Sequence, residues 1–224
     1  MALLLSEYEL RRQIVRACRA LHEKGLVAAF DGNVSGRLPS GNLLVTPAGA
    51  SKGDVAEEDI LLCTPEGKRI RGTGSVSTEV ELHLAAYRTR KDIRAVVHAH
   101  PPLASAFTFA GAEKLLAEPV LPEVVARLGA FPAAAYATPG SREVGRLAAP
   151  LLATHDAVLL AQHGAVTVGP DPWTAYLFME KLEHAATILK AARELAGSPE
   201  AVKRLTPAQI DELMRTYAKK KQQG

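Results

Sequence analysis

Two histidines one residue apart close an apolar run, Val96-Val97-His98-Ala99-His100, and Pro101-Pro102 follow at once. Residues i and i+2 of a β-strand share a face, so the run predicts two imidazoles side by side. Pro101 has no backbone N–H and predicts the strand's end there, with the histidines at its exit. Two neutral imidazoles on a rigid strand form half of a transition-metal site. His163 sits between Gln162 and Gly164, where a second apolar strand breaks off. With His98 and His100 it would complete three imidazole ligands and leave one coordination position for substrate. The other reading is a histidine satisfied in the core by a backbone carbonyl, and spacing alone leaves both open. Of the other four histidines, His22 and His184 lie on charge-rich helices and read as surface residues, and His155 reads as a loop residue. His83, one turn after Glu79, either backs the site or simply packs.

A second cluster is Ser75-Val76-Ser77-Thr78-Glu79. Hydroxyls beside the unpaired N–H groups of a helix start suit an anion such as phosphate. Asn33 and Gly49, both in small-residue turns, would add an amide and a backbone N–H. Two helix caps and a tight turn explain Thr78 without any ligand, but they leave Glu79 unexplained. A carboxylate beside an anion site and near a metal suits proton transfer.

The elements that must hold these groups alternate in texture. Ser6-Glu7-Tyr8-Glu9 is a capping box opening a first helix, and Thr78 with Glu81 reads as a second, for a helix from Glu79 to about Arg90. Strands are expected at 33–38, 42–46, 60–63, 157–161 and 165–168, besides the histidine strand. Further helices are expected at about 103–110, 122–128, 141–152 and 172–196, the last with proline in its first turn, and Thr206 caps one more that reaches Tyr217. The mixture predicts a three-layer α/β/α fold with a mixed, largely antiparallel sheet, as one domain over 1–224 whose last stretch, about 206–224, is mobile.

Composition narrows the function. The chain has 224 residues, 47% hydrophobic and 23% charged, enough for a sizeable core. A net charge of +3 is too small to argue for nucleic acid, and the basic Lys219-Lys220-Lys221 end reads as a frayed tail. No apolar run approaches the ~20 residues of a membrane span, and Met1 to Leu5 is too short for a signal peptide. Cys18 and Cys63 read as buried thiols of a reducing compartment, so a cytoplasmic location is expected.

The segments Gly32-Asn33-Val34-Ser35, Thr46-Pro47-Ala48-Gly49, Ser77-Thr78-Glu79 with His83, Ala95 to His100, Tyr136-Ala137-Thr138-Pro139-Gly140 and Gln162-His163-Gly164 together carry a resemblance. In that order they resemble the class II aldolase family of L-fuculose-1-phosphate aldolase and L-ribulose-5-phosphate 4-epimerase, over nearly the whole chain. The resemblance implies a zinc ion held by His98, His100 and His163, with Glu79 as a fourth, displaceable ligand. It implies a sugar phosphate whose phosphate is held by Asn33, Gly49, Ser77 and Thr78. It also implies a homotetramer with active sites at subunit interfaces. The implied reaction cleaves a ketose 1-phosphate to dihydroxyacetone phosphate and L-lactaldehyde through a metal-stabilised enediolate, with Glu79 moving the proton and Tyr217 closing the site. Epimerase, dehydratase or decarboxylase outcomes are the alternative, and a non-catalytic assembly module is a third. The chain departs from the family pattern at Phe30 and Ala48, where threonines are usual, and at Pro122-Glu123, where the aldolase carries a tyrosine.

Overall fold

The computed structural model describes residues 5–223, with side chains through Ala218. Met1 to Leu4 of the apolar start, and the side chains of Lys219 to Lys221, lie outside the described residues. The first half of the chain holds α1 (Glu7–Glu23), β1 (Asn33–Arg37), β2 (Leu43–Val45), β3 (Leu61–Cys63), β4 (Arg69–Arg71), α2 (Val80–Thr89), β5 (Ala95–Ala99) and α3 (Pro102–Phe109). The second half holds α4 (Pro122–Leu128), β6 (Ala133–Ala134), α5 (Arg142–Leu152), β7 (Ala157–Leu160), β8 (Gly164–Gly169), α6 (Pro172–Ala196) and α7 (Pro207–Gln223).

Alternation along the central strands decides the layering. In β5, Ala95, Val97 and Ala99 enter one buried cluster and Val96 enters another on the opposite face. The β7 and β8 residues divide the same way, Ala157, Leu159 and Ala165 against Val158, Leu160, Val166 and Val168. Strands apolar on both faces need cover on both. Residues of α1, α3, α4 and α6 supply it on the first face, and those of α2 and α5 on the second. The sheet runs β4-β3-β2-β1-β5-β8-β7-β6. Only β6 beside β7 is a parallel pair; the other neighbours are antiparallel. The fold is the expected three-layer α/β/α arrangement around a mixed, largely antiparallel sheet.

Most helix starts obey their local chemistry. Ser6 and Glu9 close the expected capping box, and Asp171 accepts from the N–H of Thr174 to start α6. The second capping box does not form. Glu79 itself is the cap residue of α2 and makes no side-chain capping bond, and the Ser77 hydroxyl, not that of Thr78, accepts from the Glu79 N–H at 3.2 Å. Glu81 is drawn away toward Arg142 and Arg88, at 3.4 and 3.7 Å. Two strands went unforeseen: β6 has only two residues, and β4 alternates exposed arginines around Ile70 with no buried face to mark it. At the C-terminus the backbone stays helical through Gln223, past Tyr217 and through Lys219 to Lys221.

Candidate active site

β5 lies mid-sheet between β1 and β8, and its period puts His98 on the face of Val96, under α2. His98 is fully buried and pairs in register with Asn33 on β1 and Val166 on β8. Its Nδ1 lies 2.9 Å from the carbonyl of Ala165, which must accept, so Nδ1 carries the proton and Nε2 keeps its lone pair. His100 stands one residue beyond β5, its N–H held by the carbonyl of Leu26 at 2.9 Å and its Nδ1 3.4 Å from Asp31. Burial, then the neighbouring imidazoles of His98 and His163, push its pKa down to about 4, so the ring is neutral near pH 7.

His163 arrives from the turn between β7 and β8. Gln162, immediately before it, adopts the left-handed conformation at φ 53°, uncommon for a residue with a side chain. Gly164, immediately after, is needed for closeness rather than for its dihedral. A Cβ there would lie 2.4 Å from the Ala99 carbonyl and 2.7 Å from the His100 ring. The turn thus presses His163 against the strand exit, and ring centroids stand 4.7 Å apart for His98–His163 and 5.0 Å for His100–His163.

The three histidines offer nitrogens that all lie within 4.8 Å of one another. The Nε2 atoms of His98 and His100 are 3.2 Å apart, and Oε1 of Glu79 lies 3.1 Å from His163 Nε2 and 3.4 Å from His98 Nε2. A tetrahedral ion with metal–nitrogen bonds of about 2.0–2.1 Å has ligand–ligand edges of about 3.3 Å. Donor chemistry and edge lengths therefore fit a divalent metal held by three imidazoles, with a carboxylate in the fourth direction. The second ring nitrogen of His163 is buried without a hydrogen-bond partner among the described residues, so its orientation comes from the turn.

Glu79 joins this centre to the sheet. Its Oε2 accepts from the Asn33 amide at 3.0 Å. Burial alone would raise its pKa, but the facing imidazoles of His163 and His98 outweigh that and hold the carboxyl far below the usual carboxylate range. Behind Asn33 runs a buried chain of polar groups that the sequence reading did not contain. Asn33 Oδ1 bonds His83 Nε2, His83 Nδ1 bonds the Ser35 hydroxyl at 2.7 Å, and that hydroxyl bonds Tyr87 at 2.8 Å. The Asn33 oxygen can only accept, which gives His83 an Nε2 proton and an Nδ1 lone pair. His83 therefore backs the site instead of merely packing. The signals for this chain were periodic: Ser35 shares a strand face with Asn33, and His83 and Tyr87 fall one and two turns after Glu79.

A cavity of about 260 Å³ opens beside the histidines, and Asn33, Gly49, Ser77, Thr78, Glu79 and His100 all line it. Its walls meet through the Ala48 N–H donating to the Ser75 carbonyl at 2.8 Å and a bridge between Pro47 and Val76. The four residues expected around a phosphate thus share one hollow with Glu79. Tyr217 does not line it. That residue lies on α7, which packs on α4, and Glu123 is exposed near the start of α4. Phe30 is on the rim, 66% exposed.

Comparison with known proteins places these features. A family model described as "Class II Aldolase and Adducin N-terminal domain" matches residues 12–189. A 3-oxo-tetronate 4-phosphate decarboxylase of Escherichia coli O6:H1 is 34% identical over 185 residues, 82% of this chain and 87% of that protein. An L-fuculose phosphate aldolase of Methanococcus maripaludis is 32% identical over 177 residues, 79% of this chain and 93% of that protein. The crystal structure of YgbL from Klebsiella pneumoniae, described as an aldolase/epimerase/decarboxylase, superposes with a TM-score of 0.83 at 31% identity, covering 93% of this chain and 99% of that one.

Proposed function

The chain belongs to the class II aldolase and adducin N-terminal domain family, and from that premise we propose that it is a metal-dependent lyase that decarboxylates a 3-oxo sugar-acid phosphate of the 3-oxo-tetronate 4-phosphate type. In that reaction the bond between the carboxylate carbon and C2 breaks, CO2 leaves, and C2 takes up a proton to give dihydroxyacetone phosphate. Cleavage of L-fuculose 1-phosphate, the reading first suggested by the sequence, yields the same three-carbon phosphate with L-lactaldehyde in place of CO2. The metal-site and phosphate-site residues serve both reactions equally. They differ in proton traffic. Aldol cleavage must also take a proton from the hydroxyl that becomes the aldehyde, whereas decarboxylation needs one proton delivered at carbon.

The observation that carries the reading is the position of Glu79, the one carboxylate among the described residues bonded both to Asn33 and to the imidazoles at the head of the cavity. It is the group able to hold or move that single proton. The relative from Escherichia coli supports the decarboxylase outcome. The aldolase stays as second reading on the strength of the Methanococcus relative, and it needs a further group to take up the hydroxyl proton on the aldehyde side, for which Tyr217 of a neighbouring copy is the candidate.

In this reading His98, His100 and His163 would hold a zinc ion, with Glu79 as a fourth, displaceable ligand. Such an ion would supply a Lewis acid for the negative charge that builds on the substrate's carbonyl oxygen. The side chains of Asn33, Ser77 and Thr78, with the backbone of Gly49, bind the phosphate and so fix the scissile bond against Glu79. Asn33 also steadies the Glu79 carboxylate, and His83 and Ser35 steady Asn33. A homotetramer with shared sites accords with the exposed aromatic side chains of Phe30 and Tyr136, and the free, buried cysteines accord with the cytoplasm.

Product analysis tests the reading. Supplied with 3-oxo-tetronate 4-phosphate, the metal-loaded protein should release CO2 and dihydroxyacetone phosphate in equal amounts. L-lactaldehyde from L-fuculose 1-phosphate, with no CO2 from the sugar acid, would replace the first reading by the second.

A further inference from the structure

Lys52 follows the Thr46-Pro47-Ala48-Gly49 turn and is 1% exposed. Its Nζ donates to two carbonyls, Ala50 at 2.5 Å and Phe30 at 3.1 Å. No carboxylate among the described residues forms an ion pair with it. Asp31 and Glu79 act on it only from beyond ion-pair distance, and both of those carboxylates already face histidines. A buried ammonium whose direct partners are two carbonyls is costly to keep, and its charge is left for something else to neutralise. Burial lowers its pKa, as expected for a charge short of a counter-ion.

Its location says what that something is. Lys52 lines the same cavity as Asn33, Gly49, Ser77 and Thr78. The two carbonyls it grips belong to the two loops framing that hollow, Phe30 before β1 and Ala50 after β2. An ammonium carries three N–H donors, of which these bonds use two. The neighbouring wall positions Phe30 and Ala48 offer no side-chain donor.

We propose that Lys52 is the charged floor of the anion subsite, supplying the counter-charge for a doubly negative phosphoester and bracing the two loops that enclose it. The inference rests on the sugar-phosphate reading above and sharpens it: the subsite selects a dianionic phosphate over a neutral or singly charged group.

The test is calorimetric titration of inorganic phosphate into the metal-loaded, full-length protein, as wild type, Lys52→Met and Lys52→Gln. Glutamine keeps an N–H donor for the loop carbonyls but carries no charge, so it guards against a methionine variant that fails to fold. Phosphate affinity should fall at least tenfold in each folded variant, while metal content stays at the wild-type level. Lys52→Met should also melt no lower than wild type in the absence of phosphate, because it removes an unanswered buried charge. Affinity within twofold of wild type in Lys52→Gln would overturn the assignment and leave Lys52 a structural brace. A wild-type protein that binds phosphate through Lys52 but breaks no carbon–carbon bond would sink the lyase reading and leave this one standing. Failure of the wild type to bind phosphate would sink this one.

Discussion

Glu79 has two oxygens with different duties. One faces the imidazoles of His98 and His163 and the other takes the Asn33 amide, so the residue can exchange the first contact without losing the second. Glu79→Gln keeps the shape and removes the charge and the proton-carrying oxygen. Turnover should drop by about 10²–10⁴-fold, the usual worth of a positioned acid–base group, while the three histidines retain metal. Turnover within a few-fold of wild type would remove Glu79 from the chemistry. His83 makes a separate prediction. Burial, and then the nearby His98, push its pKa down to about 3, far below the ordinary histidine value. The unfolded chain takes up a proton near pH 6.5 that the folded protein refuses until about pH 3, so stability falls as pH drops through that window. Denaturant midpoints measured from pH 7 to pH 4 should therefore decline in the wild type and less steeply in His83→Gln; parallel slopes would contradict a buried neutral His83. At this scale residue type and spacing singled out the histidines, Glu79 and the hydroxyl cluster as candidates, and the family resemblance supplied the roles expected of them. Lys52 and Asp31 were not, since a lysine or an aspartate in a polar turn looks like solvated surface until its burial or its partner is known.

Three short elements bring the centre together: the exit of β5, the first turn of α2 and the turn between β7 and β8. The last is the tightest. Gly164→Ala would set a methyl 2.4 Å from the Ala99 carbonyl, against backbone that cannot rotate away, and 2.7 Å from the His100 ring. The expected cost is about 1–3 kcal/mol of stability, as for overpacking elsewhere, together with weaker metal binding because His100 and His163 are pushed apart. Thermal melts with and without chelator check both parts, and a variant matching wild type in each would show that the close approach is dispensable. Element positions were readable where the pattern is local: α4 and α6 fall on the expected residues, and their prolines mark the starts. The start of α2 was misread because Thr78 and Glu81 have the right spacing for a capping box, while Glu81 answers to arginines outside its own turn. Glu79 itself takes the cap position, with its carboxylate turned to Asn33 and the histidines instead of to the helix.

The whole molecule is a sheet closed on both faces by helices, with the histidine cluster at the end of the central strand β5. The mixture of apolar strands with helices made the three layers legible, but strand order was not, because pairing β5 between β1 and β8 depends on contacts across 59 to 74 residues of chain. That order carries functional weight. It sets Asn33 beside His98 and brings His163 to the same point from far along the sequence. A metal there would tie together segments that otherwise meet only through packing, so binding should stabilise the fold, by about 4 kcal/mol at a thousandfold excess over the dissociation constant. The most direct measurement of the central claim is metal content, with melting temperature, of the purified protein after zinc loading and dialysis. About one ion per chain and a raised melting temperature are expected, both lost in His98→Ala and His163→Ala. A wild type that retains no metal, or histidine variants that retain as much as the wild type, would contradict the assignment of this cluster as the metal centre.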